Sequence, residues 1–367
     1  MPNEKALEFS KTTAKNLNAL TKRLPRWLGN NAPHANIVIS TRVRLARNLA
    51  GYKFPRTAES GELYEVIREV YRAIASSQQL AGSIFLDMLR LAKLERKFLV
   101  ERRLISPPFA EAENPAMLVI GANEYLSVMV NEEDHLRVQS IQSGLQVEEA
   151  WQQIVQLDDE LGESLDYAFT DQFGYLTACP TNTGTGMRVS LFVHLPALAL
   201  LEEIEKVIKK MAPAEITVRG FYGEGTEVVG NVFQISNQLT LGRTDDNIVK
   251  RMDEVGQKLV SLEDDARARL MEAQPVAIHD KVYRAVGIMK YARTLSSLEL
   301  LNLLSYMRLG FDMGFFKAGD DSLLNELMVT LQPAHLQKTY RGMNDDLQRD
   351  VQRAHVVREK ISSLFPD

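Results

Sequence analysis

MRVSLFVHLPALALLEEIEKVIKKM, residues 187–211, decides between fold classes. MRVSLFVHL (187–195) reads as a strand, and LALLEEIEKVIKKM (198–211) reads as an amphipathic helix. The apolar run between them, VSLFVHLPALALL, contains His194 and Pro196 and falls short of the roughly 18 residues needed to span a bilayer. Further strands are predicted at NIVIS (36–40), AMLVI (116–120), YLSVMV (125–130), EITVRG (215–220) and NVFQIS (231–236). The spacing of apolar residues in 58–100, as in LYEVIREVYRAI, predicts helix. No GxGxxG turn opens a strand–helix unit, and the strands are unevenly spaced. The pattern therefore implies an α+β fold with a largely antiparallel sheet flanked by helices, not a doubly wound sheet.

Working outward, residues 1–35 form a polar leader ending in the turn-rich GNNAPHA. From about residue 245 strand signals stop. DDNIVKRMDEVGQKLVSLEDDARARLMEA reads as one long charged helix, and helical patterns continue to the end. The expected division is a leader (1–35), a catalytic α+β domain (36–245) and an all-α C-terminal domain (246–367).

Of 367 residues, 45% are hydrophobic and 25% charged, which is ordinary globular composition. The net charge of -5 disfavours a dedicated nucleic-acid binder. A single cysteine, Cys179, excludes an internal disulfide framework. The N-terminus lacks an apolar signal region. A soluble, cytoplasmic protein with no membrane or direct nucleic-acid partner is expected. The GxxxxGK[ST] phosphate loop and the HRD and DFG triplets are absent.

Four clusters offer chemistry by other means. In STRVRLAR (40–47), Arg42 and Arg44 alternate, so both point to one face of an extended segment. Two guanidinium groups side by side repel unless an anion such as a triphosphate lies between them. VNEEDHLR (130–137) sets Glu132, Glu133 and Asp134 in a row before His135 and Arg137. Capping of a following helix accounts for one acid, Asp134. Another could orient a guanidinium and accept its proton. LTACPTNTGTGMR (176–188) places Cys179 before Pro180, Thr181 and Asn182, then a glycine-rich turn and Arg188. Such turns expose backbone N–H groups that hold an anion or lower a thiol pKa. In VRGFYGEGTEVVGN (218–231), Arg219 ends a strand and a glycine-rich loop carries Glu224 and Glu227. Such a loop can close over a substrate.

In this order, STRVR, NEEDHLR, CPTNxGT and RGxxGE resemble the catalytic domain of the phosphagen (guanidino) kinases, over roughly residues 36–245. The resemblance implies an antiparallel sheet flanked by helices. It implies that Arg42, Arg44, Arg137, Arg188 and Arg219 hold the phosphates of ATP, carried with Mg²⁺, with no protein ligand to the metal assigned. The surrounding ATP-site residues it implies are Ser40, Thr41, Val43, Val189, Ser190, Leu191, Phe192, Gly220, Phe221, Tyr222 and Gly223. Glu133 and Glu224 resemble the carboxylates that grip the acceptor guanidinium, and Cys179 the thiol beside it.

Creatine and arginine kinases carry a helical domain before STRVR, whereas only 39 residues precede Ser40 here, and helices follow instead. That arrangement is similar to the bacterial protein arginine kinases. LISP (104–107) and GNxFQISNQxTLG (230–242) look like the same branch. RDVQRA, spanning Arg349, Asp350, Val351, Gln352, Arg353 and Ala354, matches a motif implied to bind phosphoarginine allosterically. Arg103 stands where that branch usually has His near the adenine, and a guanidinium can also stack on a base. The resemblance implies phosphorylation of arginine side chains in proteins, marking them for Clp-type proteolysis and stress regulation. Expected partners are proteins with exposed arginines, an activator protein, a Clp unfoldase–protease and a second copy of the chain. Two other readings are a kinase for free arginine or another small guanidine, and an inactive phosphoarginine-reading adaptor. The short segment before Ser40 weighs against the first, and Glu133, Glu224 and Cys179 against the second.

Overall fold

The computed structural model describes residues 13–29, 31–220, 229–316 and 321–365. Its centre is β1 (Val38–Arg47), which continues through the whole STRVRLAR string. The other strands are β2 (Ile84–Asp87), β3 (Met117–Ile120), β4 (Leu126–Val130), β5 (Leu136–Ser143), the short β6 (Phe169–Thr170) and β7 (Gly174–Tyr175), β8 (Met187–His194), β9 (Ile216–Arg219) and β10 (Val232–Asn237). Eight of them form one sheet in the order β2-β3-β4-β5-β1-β8-β10-β9, and every neighbouring pair is antiparallel. β6 and β7 form a separate two-stranded ribbon.

The sheet has two chemically different faces because side chains alternate along each strand. Val43 and Leu45 of β1, Val138 of β5, Val189, Leu191 and Val193 of β8 and Ile235 of β10 point into the main core. α5 (Val147–Gly162) and α8 (Asp245–Ala273) cover this face. α8 buries Ile248, Met252, Val255 and Leu259 there, so the helix that begins at the expected 245/246 boundary packs in the core of the catalytic sheet. Gly256 permits the close approach, because a Cβ there would collide with the Leu145 side chain.

The opposite face is polar at its centre and apolar at its ends. One end carries Leu118, Ile120 and Met129 under α3 (Lys93–Glu101), together with Leu17 and Leu20 of α1 (Thr13–Leu20). At the other, Ile39, Ile141 and Phe192 share a core with α9 (Pro275–Tyr291), α10 (Ser297–Asp312), α11 (Asp321–Thr330), α12 (Pro333–Thr339) and α13 (Asp346–Leu364). Trp27 and Leu28 join that second core, so the polar leader anchors itself through a few apolar residues. The remaining helices, α2 (Ser60–Ser76), α4 (Pro107–Ala110), α6 (Pro196–Leu200) and α7 (Ile204–Met211), complete the layers. Among the described residues no helix is long and apolar enough to cross a membrane.

Candidate active site

The polar centre of the sheet gathers arginines by register alone. Arg42 lies opposite Ser190, and Arg44 opposite Arg188. On the other side of β1, Ala46 lies opposite Arg137. At the sheet edge Arg219 lies opposite Gln234, which itself pairs with Phe192. Directly opposed residues project to the same face. Arg42, Arg44, Arg137, Arg188 and Arg219 therefore share one surface.

Positive charge is concentrated on that surface. Burial first, then the charges of Arg137 and Arg188, lower the Arg42 pKa to about 10. Burial also pushes Arg44 well down, with repulsion from Arg42, Arg137 and Arg188 adding to it and Glu132 opposing it. Arg44 Nε is buried and has no hydrogen-bond partner among the described residues. Arg42 Nη2 donates to Gln234 Oε1 over a long 3.4 Å. Such a cluster is complementary to a polyanion.

The VNEEDHLR string is the turn between β4 and β5, so Asp134 caps no helix as the sequence had implied. Asn131 opens the turn at φ 62°, a left-handed conformation that asparagine tolerates. The turn sends its three acids in three directions. Glu132, 6% exposed, pairs with Arg137 Nη1 at 2.6 Å and accepts the Ser106 hydroxyl. Glu133, 46% exposed, meets Arg137 Nη2 at 3.0 Å. Asp134 is fully buried and accepts from Asn48 Nδ2 and from the Ala178 amide, both at 2.7 Å. Arg137 thus joins the phosphate-complementary face to the exposed carboxylate.

The Ala178 contact brings the Cys179 segment to this edge, because Cys179 is the next residue. Cys179 is half-buried, and its Sγ lies 3.0 Å from Thr181 Oγ1. Its carbonyl accepts from Asn182 N at 2.9 Å and from Thr177 Oγ1 at 2.8 Å, which closes the turn. Thr240 Oγ1 donates to Thr181 O and Thr183 O from the far side. Glu133 and Cys179 each stand one residue, about 3.8 Å along the chain, from the Asp134–Ala178 hydrogen bond.

Other expected site residues divide by face. Ser40, Ser190 and Phe192 alternate in phase with the arginines. Thr41, Val43, Val189 and Leu191 point the other way. Thr41 accepts from Gln146 N and donates to Gly144 O, while the three apolar side chains are core. Only their backbones can border a nucleotide. Arg103, at φ 60°, lays its guanidinium over the Phe192 ring at 3.7 Å. It is therefore stacked on the protein at the margin of the arginine face. Gly220 ends the described part of its segment, and Phe221, Tyr222, Gly223, Glu224 and Glu227 lie outside the described residues.

Comparison with known proteins matches residues 65–266 to the family described as "ATP:guanido phosphotransferase, C-terminal catalytic domain". The chain belongs to this family. Residues 275–366 of the kinase match "Protein-arginine kinase McsB C-terminal domain". A protein-arginine kinase of Desulforamulus reducens is 44% identical over 342 residues, 92% of this chain and 96% of that one. One from Moorella thermoacetica is 44% identical over 344 residues, covering 93% and 98%. Among solved structures, the duplicated taurocyamine kinase of Schistosoma mansoni with bound transition-state-analogue components superposes at TM-score 0.59 and 25% identity. It covers 67% of this chain and 35% of that one. Lombricine kinase, at TM-score 0.56 and 22% identity, covers 72% and 80% and shares the fold.

In the kinase, the RDVQRA motif lies on α13 and its residues do separate work. Arg353 is fully buried, with Nε donating to Leu331 O at 2.9 Å and Nη1 to Leu295 O at 2.7 Å and to Asp350. Burial lowers its pKa, and Asp350 opposes that. Arg349, its side chain 13% exposed, bonds Met343 O at 3.3 Å and pairs with the exposed Asp346. Ala354 is core and Val351 is exposed. Asp350 therefore engages this chain's own Arg353.

Sequence reasoning assigned no role to Glu132, Asn48 or Ser106, although Glu132 holds Arg137, Ser106 donates to Glu132 and Asn48 holds Asp134. Only the run of three acids hinted at them, since three adjacent carboxylates cannot all serve one cation.

Proposed function

We propose that this kinase transfers the γ-phosphoryl group of MgATP in line to a guanidinium nitrogen of an arginine side chain in a protein. The observation that carries the reading is the single sheet face on which five arginines converge beside Glu133 and Cys179. The relatives named protein-arginine kinase, matched over nearly their whole length, support the choice of acceptor.

The arginines would neutralise charge spreading over the phosphoryl oxygens. Glu133 is exposed enough to receive a guanidinium and anchored enough, through Arg137, to hold it in line. A guanidinium is a weak nucleophile because its pKa exceeds about 12, so Glu133 must also take up its proton. The Cys179 sulfur would lie against the acceptor guanidinium, and Glu224 is assigned the second carboxylate by motif. Among the described residues no three acidic, histidine or cysteine side chains converge on a cation site. Glu132, the buried carboxylate on the arginine face, is already paired with Arg137. Magnesium would enter with the nucleotide as part of the substrate, held mainly by phosphates and water. We also propose that phosphoarginine regulates the enzyme through the RDVQRA helix.

The test is mass spectrometry for phosphoarginine after incubation with MgATP and an arginine-rich protein, with free arginine assayed in parallel. Phosphoarginine on the protein and little product from free arginine supports the reading. Product from free arginine alone replaces it with a small-guanidine kinase, and no product with either overturns it.

A further inference from the structure

We propose that Asp134 is a positioning residue that fixes Cys179 relative to Glu133, so that the two acceptor-binding groups keep one separation. The inference rests on the acceptor roles given above to Glu133 and Cys179.

The Cys179 turn is internally closed, by Asn182 N to Cys179 O and Thr177 Oγ1 to Cys179 O. Those bonds fix its shape but not its place. Two sets of hydrogen bonds at the turn itself help to fix its place. Thr240 ties Thr181 and Thr183 to the segment after β10. On the other side, Asp134 Oδ1 takes the Ala178 amide, and Asn48 Nδ2 bridges Asp134 Oδ1 to Leu176 O at 3.0 Å. Among the described residues, the second set is the one that refers the turn to the hairpin that bears Glu133.

Asp134 is itself rigidly seated. Asn48 Oδ1 accepts the His135 amide at 2.9 Å. His135 Nδ1 accepts from Leu49 N at 3.0 Å, so its proton sits on Nε2, 3.0 Å from Lys53 O. The end of β1, the hairpin and the Cys179 turn are thereby joined through one carboxylate oxygen. The second oxygen, Oδ2, is buried without a partner among the described residues. Reactive geometry explains the arrangement, since an error of about 1 Å in a reacting group can cost about 100-fold in rate.

The experiment compares Asp134→Asn, Asp134→Ala and Asn48→Ala with the wild-type enzyme. The readouts are kcat, KM for ATP, KM for a protein acceptor, thermal midpoint and the alkylation rate of Cys179 by iodoacetamide. Asp134→Asn keeps an oxygen for both donors and should retain most of kcat. Asp134→Ala should lose about 10- to 100-fold in kcat. ATP KM should stay near wild type, and the alkylation rate should change. Asn48→Ala should fall between them. The proposal fails if Asp134→Ala lowers only the midpoint while kcat per folded molecule and alkylation stay normal. Should Asp134→Ala not fold, wild-type kcat and alkylation in Asn48→Ala overturn it. The alkylation readout needs no turnover, so it reports on the clamp even if the wild-type enzyme makes no phosphoarginine and the functional reading itself falls.

Discussion

Arg44 of β1 and Arg188 of β8 stand directly opposite each other across the sheet. Like charges in that relation destabilise a strand pair. A polyanion bound as the proposed function requires would relieve that repulsion. Arg188→Ala should therefore weaken ATP binding about 10- to 100-fold, the loss of one set of charged hydrogen bonds. The nucleotide-free protein should melt no lower than wild type. Calorimetric titration and melting with and without ATP check both halves. Unchanged ATP affinity would remove Arg188 from the phosphate site.

Glu133 should affect turnover without affecting nucleotide capture. Among the described residues it reaches the arginine face through Arg137, which Glu132 also holds. Glu133→Gln is expected to lower phosphorylation by about 10²- to 10⁴-fold, the usual contribution of a positioned proton acceptor. ATP affinity should remain near wild type. Near-normal turnover in this variant would mean that another group takes the proton.

Cys179 is the sole thiol, so labelling reports on one site. Half-burial in an open turn predicts that iodoacetamide reaches it and stops turnover. ATP with an arginine-bearing protein should protect it better than ATP alone. Full activity after stoichiometric labelling would exclude Cys179 from acceptor binding.

Asp245 supplies a pH prediction away from the chemistry. It sits in the first turn of α8, and burial, with Asp158 and Asp246 adding to it and Arg47 opposing, pushes its carboxyl up to about 6. The native state thus binds this proton more tightly than the unfolded chain, whose aspartate titrates near 4. Its contribution to stability is present below that value and falls as pH rises from about 4 to 6. Asp245→Asn should remove this loss and raise stability at pH 7 by about 1 kcal/mol after allowance for solvent screening. Urea melts at pH 4 and pH 7 test it, and an equal effect at both values would refute the titration.

The sequence made the arginine face legible because alternation in STRVR is a direct geometric statement, and β1 carries it through Arg47. The α+β class was legible from strands whose apolar residues recur without a nucleotide-binding turn. β5 was not, because LRVQSIQS (136–143) mixes polar residues into both phases and resembles no half-buried strand. Asp134 was misassigned to helix capping for the same reason, since the element after it was unseen. The packing of α8 beneath the sheet was hidden by its charged outer surface. The inward turn of Arg353 depends on carbonyls of Leu295 and Leu331, which no local pattern announces.

That inward turn separates two arginines which a helix places four residues apart and on one face. If RDVQRA binds phosphoarginine, Arg349 is the residue available to meet the phosphoryl group, and Arg353 holds the architecture around it. Arg353→Ala would leave two buried carbonyls and Asp350 without their partner, at a cost of about 3–5 kcal/mol. Loss of cooperative melting in the C-terminal helices is the expected result. Arg349→Ala removes a pairing with an exposed aspartate and should change stability by less than about 1 kcal/mol. The regulatory proposal then requires that free phosphoarginine alter wild-type turnover and fail to alter that of Arg349→Ala, with basal activity intact. Titrating phosphoarginine into both full-length proteins, while following turnover and bound ligand, decides the matter. An undiminished response in Arg349→Ala would place the regulatory site elsewhere, and no response in the wild-type enzyme would end the proposal while leaving the chemistry of the sheet face untouched.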